Sequence, residues 1–208
     1  MVESTIRKRE TLTRAASLVI KRFLDFILAI IGTIIISPFL LLIAIAIKCT
    51  SKGPILFKQE RLGLYGKPFK IIKFRTMVVN AEHMGTGLVI KGKNDPRVTK
   101  IGRFLRSTSL DELPQVFNVM KGDMALVGPR PPVTYYPYNG YESYPEWAKK
   151  RFDMRPGMTG LVQITIRSGA SWDERMRMDI KYIDKFSVLL DIKILFSTIK
   201  AVFERKTV

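Results

Sequence analysis

Between Arg103 and Gln115 the chain reads Arg-Phe-Leu-Arg-Ser-Thr-Ser-Leu-Asp-Glu-Leu-Pro-Gln, which sets the adjacent carboxylates Asp111 and Glu112 close behind Arg103 and Arg106. Two readings of this spacing stand side by side. In the plain one, Ser109-x-x-Glu112 is a capping box, or Asp111 is the N-cap with Pro114 in the first turn, where proline is tolerated. In the other, the start of a helix favours anions and keeps both carboxylates ionised near neutrality. One of the pair then holds Mg²⁺ while its neighbour attacks a phosphorus atom as a nucleophile. Arg106, about one and a half turns before Asp111, neutralises phosphate charge. Capping and catalysis are compatible on one segment.

Two proline-rich turns bring further cations. Gly128-Pro129-Arg130-Pro131-Pro132 fixes the backbone on both sides of Arg130, lowering the entropy lost in aiming its side chain. Arg155-Pro156-Gly157-Met158-Thr159-Gly160 does the same for Arg155. Taken singly, each is also a rigid surface turn with a solvated arginine. Lys73 and Arg75, in Lys73-Phe74-Arg75, add two more cations.

Several elements must position these groups. Ile55-Leu56-Phe57 and Phe69 to Phe74 read as short strands about a Gly63–Pro68 turn, giving a hairpin. Val78 to Lys100 is polar and holds Gly85, Gly87 and Gly92, the pattern of a loop or lid. A helix is expected from about Ile101 to Lys121. Tyr135, Tyr136, Tyr138, Tyr141, Tyr144 and Trp147 form an aromatic cluster suited to a membrane interface or to ordinary packing. Val188, Ile192, Leu195, Ile199 and Val202 share one helical face, directed at a core or at the lipid interface.

The chain has 208 residues, with 35 Lys+Arg against 18 Asp+Glu and a formal net charge of +17. At 47% hydrophobic it has the apolar content for a core, which excludes a disordered polypeptide. The single Cys49 and single His83 exclude a disulfide framework and a multi-Cys/His metal site. So basic a chain needs an anionic partner: nucleic acid, anionic lipid or a phosphorylated substrate. The apolar residues gather in Phe26–Ile47, a stretch without charge and long enough to cross a bilayer as a helix. Six Lys/Arg lie between positions 7 and 22, and eight between 48 and 75. Because cytoplasmic flanks carry the Lys/Arg excess, the pattern favours a re-entrant helix broken at Ser37-Pro38 over a plain span. The Ser37 hydroxyl is placed to satisfy a backbone group freed at that break, and Asp25 to pair with Lys21 or Arg22. The run exceeds a signal-peptide core, and no small-x-small cleavage site follows it.

Five motifs occur in order: Lys73-Phe74-Arg75-Thr76-Met77; Asp95-Pro96-Arg97-Val98-Thr99-Lys100-Ile101-Gly102; Ser109 to Gln115; Gly122-Asp123-Met124 with Val127-Gly128-Pro129-Arg130-Pro131; and Arg155 to Gly160. Together they resemble the bacterial sugar transferase family, the monotopic phosphoglycosyl transferases, over about residues 20 to 203. The resemblance implies transfer of a sugar phosphate from a nucleotide diphosphate sugar, a UDP-sugar by family habit, to polyprenol phosphate. A nucleoside monophosphate leaves, and the reaction begins surface glycan or exopolysaccharide assembly. It further implies a covalent phosphosugar on Asp111, Mg²⁺ on Glu112, phosphate contacts from Arg106 and Arg130, and a further functional carboxylate at Asp191, counted here as a second metal ligand. Lys73, Arg75, Arg155 and Arg167 complete the expected phosphate-binding set. After Gln163 the chain departs from an Asn-Gly-Arg-like pattern, reading Ile164-Thr165-Ile166-Arg167.

The expected architecture is α+β: a basic segment 1–20, a re-entrant membrane helix 21–48 and a catalytic domain 49–208 that works as one unit with it. In that picture a small hairpin and amphipathic interfacial helices surround an active site on the cytoplasmic face of the inner membrane. The chain resembles a minimal catalytic form, without the large N-terminal membrane domain of some relatives. A membrane-tethered binder of anionic lipid or nucleic acid is the competing class. No helix-turn-helix, zinc or RNA-binding signature occurs and the basic residues are spread throughout, so nucleic acid is not the expected partner.

Overall fold

In the computed structural model, which describes residues 2–81, 84, 95–166 and 170–204, helix and strand are mixed behind one long N-terminal helix. That helix, α1 (Val2–Thr50), runs without interruption, so the expected basic and apolar segments are one element. It stays helical through Ser37-Pro38, so the expected break is not an interruption of the helix. Pro38 lacks the amide that would bond the Ile34 carbonyl one turn back, and the Ser37 hydroxyl donates to that same carbonyl at 2.8 Å. Thr13–Thr50 is long and apolar enough to cross a membrane, and only 6% of its most apolar window is buried.

One stripe of α1 is nevertheless covered. Lys21, Asp25, Ala29 and Ile47 are buried, while Phe23, Ile34, Ile35, Phe39, Leu41 and Leu42 are exposed. Lys21, Asp25 and Ala29 are four residues apart and Ile47 lies five helical turns beyond Ala29, so all four fall on one helical face. Ala29 packs in a cluster with Ile71, Val116, Val119 and Met124. Ile47 packs with Phe74 and Leu105, and Leu40, Ile43 and Ala44 lie against them. As a fully buried aliphatic side chain, Ile47 contributes roughly 2–3 kcal/mol through burial.

The hairpin expected about the Gly63–Pro68 turn forms, with a first strand longer than Ile55-Leu56-Phe57. Strands β1 (Leu56–Leu62) and β2 (Pro68–Phe74) pair antiparallel about a single 3₁₀ turn, Leu64–Gly66. The free edge of β2 is closed by a side chain: Asn118, fully buried, accepts from the Ile72 amide at 2.9 Å and donates to the Lys70 carbonyl at 2.8 Å. An amide side chain thus substitutes for a neighbouring strand and fixes the register next to Lys73.

The helix expected over 101–121 divides in three: α2 (Lys100–Ser107), a 3₁₀ segment Leu110–Gln115 and α3 (Val116–Lys121). The division comes at Ser109, which sits in the left-handed region at φ 59°. Short strands β3 (Ala125–Val127) and β4 (Gly157–Thr159) pair in parallel, bringing the two proline-rich turns together. A Cβ on Gly128 would collide with the Arg155 carbonyl, so only glycine permits that approach.

The remaining helices are α4 (Glu146–Lys149), α5 (Leu161–Thr165), α6 (Trp172–Asp184) and α7 (Val188–Glu204). Tyr138, Tyr141 and Tyr144 pack among themselves and Phe152, whereas Tyr135 and Tyr136 are half exposed, so the aromatic cluster serves packing and surface in turn. Helix α7 likewise has two faces: Asp191 and Ile194 are buried, while Leu189, Ile192, Phe196 and Ile199 form an exposed apolar stripe. Most of the Gly-rich stretch read as a lid lies outside the described residues, as does Arg167.

Candidate active site

Asp111 and Glu112 lie in the 3₁₀ segment, where three residues make a turn and neighbouring side chains diverge by about 120°. The two carboxylates accordingly face different partners. Glu112 Oε1 accepts from Lys73 Nζ at 2.6 Å and from Arg130 Nη2 at 3.0 Å. Asp111 lines a cleft of about 410 Å³ shared with Phe57, Lys73, Thr76 and Arg106. The capping reading of Ser109 and Glu112 is not realised, because Ser109 makes no side-chain cap and Glu112 is turned to the two cations. Among the described residues a capping box is formed by Ser171 and Glu174 instead.

The electrostatics separate the pair. Burial alone would push Glu112 up, but Arg130 and Lys73 outweigh it and hold the carboxyl at about 2. Burial pushes Asp111 above the usual carboxylate range, with Lys73 opposing, Glu112 adding to the rise and Arg106 opposing. Glu112 is therefore a fixed anion, and Asp111 is the group that titrates. Where reaction needs ionised Asp111, the rate falls as pH drops through that raised value, while Glu112 is still charged. Arg106→Gln removes one of the opposing cations and moves this acid limb to higher pH. A pH profile of single-turnover rates checks the shift, and coincident profiles would contradict it.

Arg106 is itself aimed. Its Nε donates to Thr76 Oγ1 at 2.8 Å. Thr76 follows β2, and its carbonyl accepts from the Thr99 amide at 3.0 Å, where Thr99 caps α2. Gly102 lies so close to the Thr76 carbonyl that a Cβ would collide with it, which seats α2 on this residue. Thr76→Val keeps the volume and loses the acceptor, so a rate lower by about tenfold is expected, the scale of one hydrogen bond to a charged group. Thr76→Ser should restore it; a Val variant at full rate would show that Arg106 needs no such support.

The family model described as "Bacterial sugar transferase" matches residues 16–205. The chain belongs to the bacterial sugar transferase family. A galactosyl transferase, CpsE, of Streptococcus agalactiae is 44% identical over 89% of this chain and 42% of its own length. A Klebsiella pneumoniae protein named UDP-glucose:undecaprenyl-phosphate glucose-1-phosphate transferase is 44% identical over 92% of the chain and 42% of its own. One of the same name from Caulobacter vibrioides is 44% identical over 94% of the chain and 74% of its own. The chain thus spans about two fifths of the first two relatives.

In this sugar transferase chain, Lys73, Arg106, Asp111, Glu112 and Arg130 converge, and other expected site residues do not join them. Arg75 borders the cleft, but its guanidinium is spent on the end of α1: it donates to the Lys52 carbonyl and, at 3.0 and 2.8 Å, to the Ser51 carbonyl and hydroxyl. Arg155 donates through Nε to the Gly122 carbonyl at 2.9 Å and lies beside Arg22, not in the cleft. Asp191 is buried in a separate network, accepting from Lys21 at 2.6 Å and from the Tyr182 hydroxyl at 2.7 Å. Lys21 also pairs with Asp25 at 3.2 Å, as its position one turn away suggests. Asp191 thus ties α7 to α1 and does not meet Glu112.

Two site residues were not anticipated from the sequence. Arg151, buried, donates to the Arg130 carbonyl at 3.0 Å and to Asp179 at 2.6 Å, so the Arg130 turn rests on a buried ion pair. Burial raises Asp179 to about 6 in spite of Arg151. The signal for Asp179 lay on α6, where it shares the buried face with Met176, Tyr182 and Ile183. A carboxylate on an apolar face calls for a buried cation.

The donor set also suits a hard divalent ion. No group of three or more His, Cys, Asp or Glu gathers among the described residues. An ion here would rest on one or two carboxylates and take its other ligands from substrate and water, which is how Mg²⁺ is commonly held. Glu112 Oε2 has no hydrogen bond among the described residues, since both cations bond Oε1.

Proposed function

We propose that the protein transfers a sugar 1-phosphate from a UDP-sugar to undecaprenyl phosphate at a membrane surface. The observation that carries this reading is the asymmetric carboxylate pair, one member fixed as an anion by Lys73 and Arg130 and the other lining the cleft beside Arg106. The names of the relatives supply the substrate class. Asp111 attacks the phosphorus that bears the sugar, the bond to the uridine monophosphate oxygen breaks, and UMP leaves. The phosphate oxygen of the lipid then attacks the same phosphorus, releasing the Asp111 carboxylate and forming a polyprenyl diphosphosugar. Splitting one transfer in two lets donor and acceptor use one cleft in turn. Arg106 and Arg130 stabilise charge on the transferring group. Mg²⁺, when bound, would rest on Glu112 and supply positive charge to the donor diphosphate. Mg²⁺-dependent UMP release from UDP-glucose or UDP-galactose, given undecaprenyl phosphate in detergent, tests the reading. A protein that binds lipid without catalysis releases none.

The membrane arrangement proposed with it is re-entrant, with both ends of the apolar run on the cytoplasmic face. Supporting this, residues before Pro38 and residues after it pack on the same body: Ala29 with Met124, and Ile47 with Leu105. A straight span would carry one of these ends across the bilayer, away from that body. Proline in a helix is a common site of bending, and the Ser37 bond keeps the backbone satisfied there. Labels at Thr13 and at Cys49 are both expected to react from the cytoplasmic side; reaction of either only from the periplasm would require a full span.

A further inference from the structure

A second hollow, of about 500 Å³, shares no lining residue with the Asp111 cleft. Its walls are Leu18, Val19, Phe23 and Phe26 of α1, together with two arginines, Arg22 and Arg155. Both guanidinium groups grip the last turn of α3. Arg22 Nη1 donates to the Val119 carbonyl at 2.8 Å, and Arg155 Nε to the Gly122 carbonyl at 2.9 Å. Gly122 is left-handed at φ 94°, and a Cβ there would come within 3.1 Å of Arg22 Nη2. The two cations therefore meet at one residue.

Carbonyl oxygens at a helix C-terminus offset part of this charge. Asp25 and Asp153 line an adjoining hollow with Arg22 and Arg155, but among the described residues neither carboxylate forms an ion pair with them. Asp25, the acid nearest in sequence to Arg22, is engaged by Lys21 at 3.2 Å and by the Leu126 amide at 3.3 Å. Neither Arg22 nor Arg155 has an ion pair among the described residues. Beside this doubly cationic turn, Val19 is 70% and Phe23 64% exposed. Adjacent unpaired cations and bare apolar side chains are each unfavourable alone, and one molecule with a phosphate head and an apolar tail satisfies both. The height also fits, since Arg22 immediately precedes the apolar part of α1 and would lie at the level of lipid headgroups.

We propose that this hollow binds one anionic glycerophospholipid, with its phosphodiester between Arg22 and Arg155 and an acyl chain along Val19, Phe23 and Phe26. The site rests on the membrane placement of α1 proposed above and is independent of the transfer chemistry. It also gives Arg155 a phosphate to bind, one carried by the bilayer and not by the nucleotide sugar.

Counting lipids retained on the purified chain by native mass spectrometry tests the proposal. Phosphatidylglycerol should be retained at one per chain in preference to phosphatidylcholine. Arg22→Gln with Arg155→Gln should weaken that retention by about 25-fold, fivefold for each cation at an anionic surface. The corresponding double lysine variant should keep most of it. Val19→Glu, at an exposed position of the same wall, should also weaken it and decides the matter if the glutamine pair does not fold. Unchanged retention in these variants, or equal retention of phosphatidylcholine, overturns the site. So does displacement by inorganic phosphate, which would make it a free-anion site, or one-for-one displacement by undecaprenyl phosphate, which would make it the acceptor's seat. Failure of the wild-type chain to bind any vesicle overturns the membrane placement and the site together, whereas UMP release speaks only to the reaction.

Discussion

Asp111→Asn should lower transfer by on the order of 10⁴-fold or more, the scale seen when a nucleophile or its obligatory partner is removed. Asparagine has nearly the same shape, so the 3₁₀ segment and its packing should survive. What disappears is the negative oxygen that must bond phosphorus. The loss should be in the first half-reaction: incubated with UDP-sugar alone, the wild-type protein forms a phosphosugar adduct and releases UMP, and the variant does neither. An adduct mapped by mass spectrometry to any residue other than Asp111, or an Asn variant still releasing UMP in one turnover, would refute the assignment. Because burial already raises Asp111, the variant resembles in one respect the protonated wild type. The activity remaining well below the acid limb should approach that of the variant.

Glu112→Gln should cost about 10² to 10³ in rate, the usual range for removing one electrostatic stabiliser. The substitution removes the anion shared by Lys73 and Arg130 and leaves two cations next to a neutral amide. Glutamine still offers an acceptor oxygen, but its NH₂ group can only repel those donors. Two consequences separate this from a capping role. The Mg²⁺ concentration for half-maximal rate should rise, and adduct formation should slow without the adduct moving from Asp111. Unchanged Mg²⁺ dependence would remove Glu112 from the metal. Glu112 also contributes to stability in acid. Its folded value, about 2, lies below its unfolded one, so the contribution is present above the ordinary carboxylate range and is lost as pH falls toward 2. In the glutamine variant that contribution is absent at every pH.

The parts of this molecule that were legible in the sequence are those governed by neighbours along the chain. Two short apolar segments about a Gly63–Pro68 turn gave the hairpin, the 3.6-residue period gave α7, and the motif from Ser109 to Gln115 marked the carboxylates. Ser37 could be matched to Pro38 because both concern the same helical turn. The helix over 101–121 was drawn too long because nothing local requires Ser109 to turn left-handed. The turn lets Arg106 and Asp111 line one cleft from two short elements. Arg155 and Asp191 were drawn into the site by their company in the motifs, yet their partners, Gly122 and Lys21, are dictated by tertiary packing. Arg151 and Asp179 were missed for the same reason: an ion pair 28 residues apart in sequence shows only once α6 is folded against the Arg130 turn.

The buried stripe of α1 has a consequence for how this protein can be divided. A tether joined to a finished domain by its end can be cut away, leaving the domain intact. Here Lys21 neutralises Asp191, Ala29 lies against Val116 and Met124, and Ile47 closes over Phe74 and Leu105. Cutting α1 away would bare two hydrophobic clusters and strand a carboxylate inside the protein, each costly by itself. The helix proposed to enter the bilayer is also part of what folds the interior, so a fragment cut free of α1 should lose that packing.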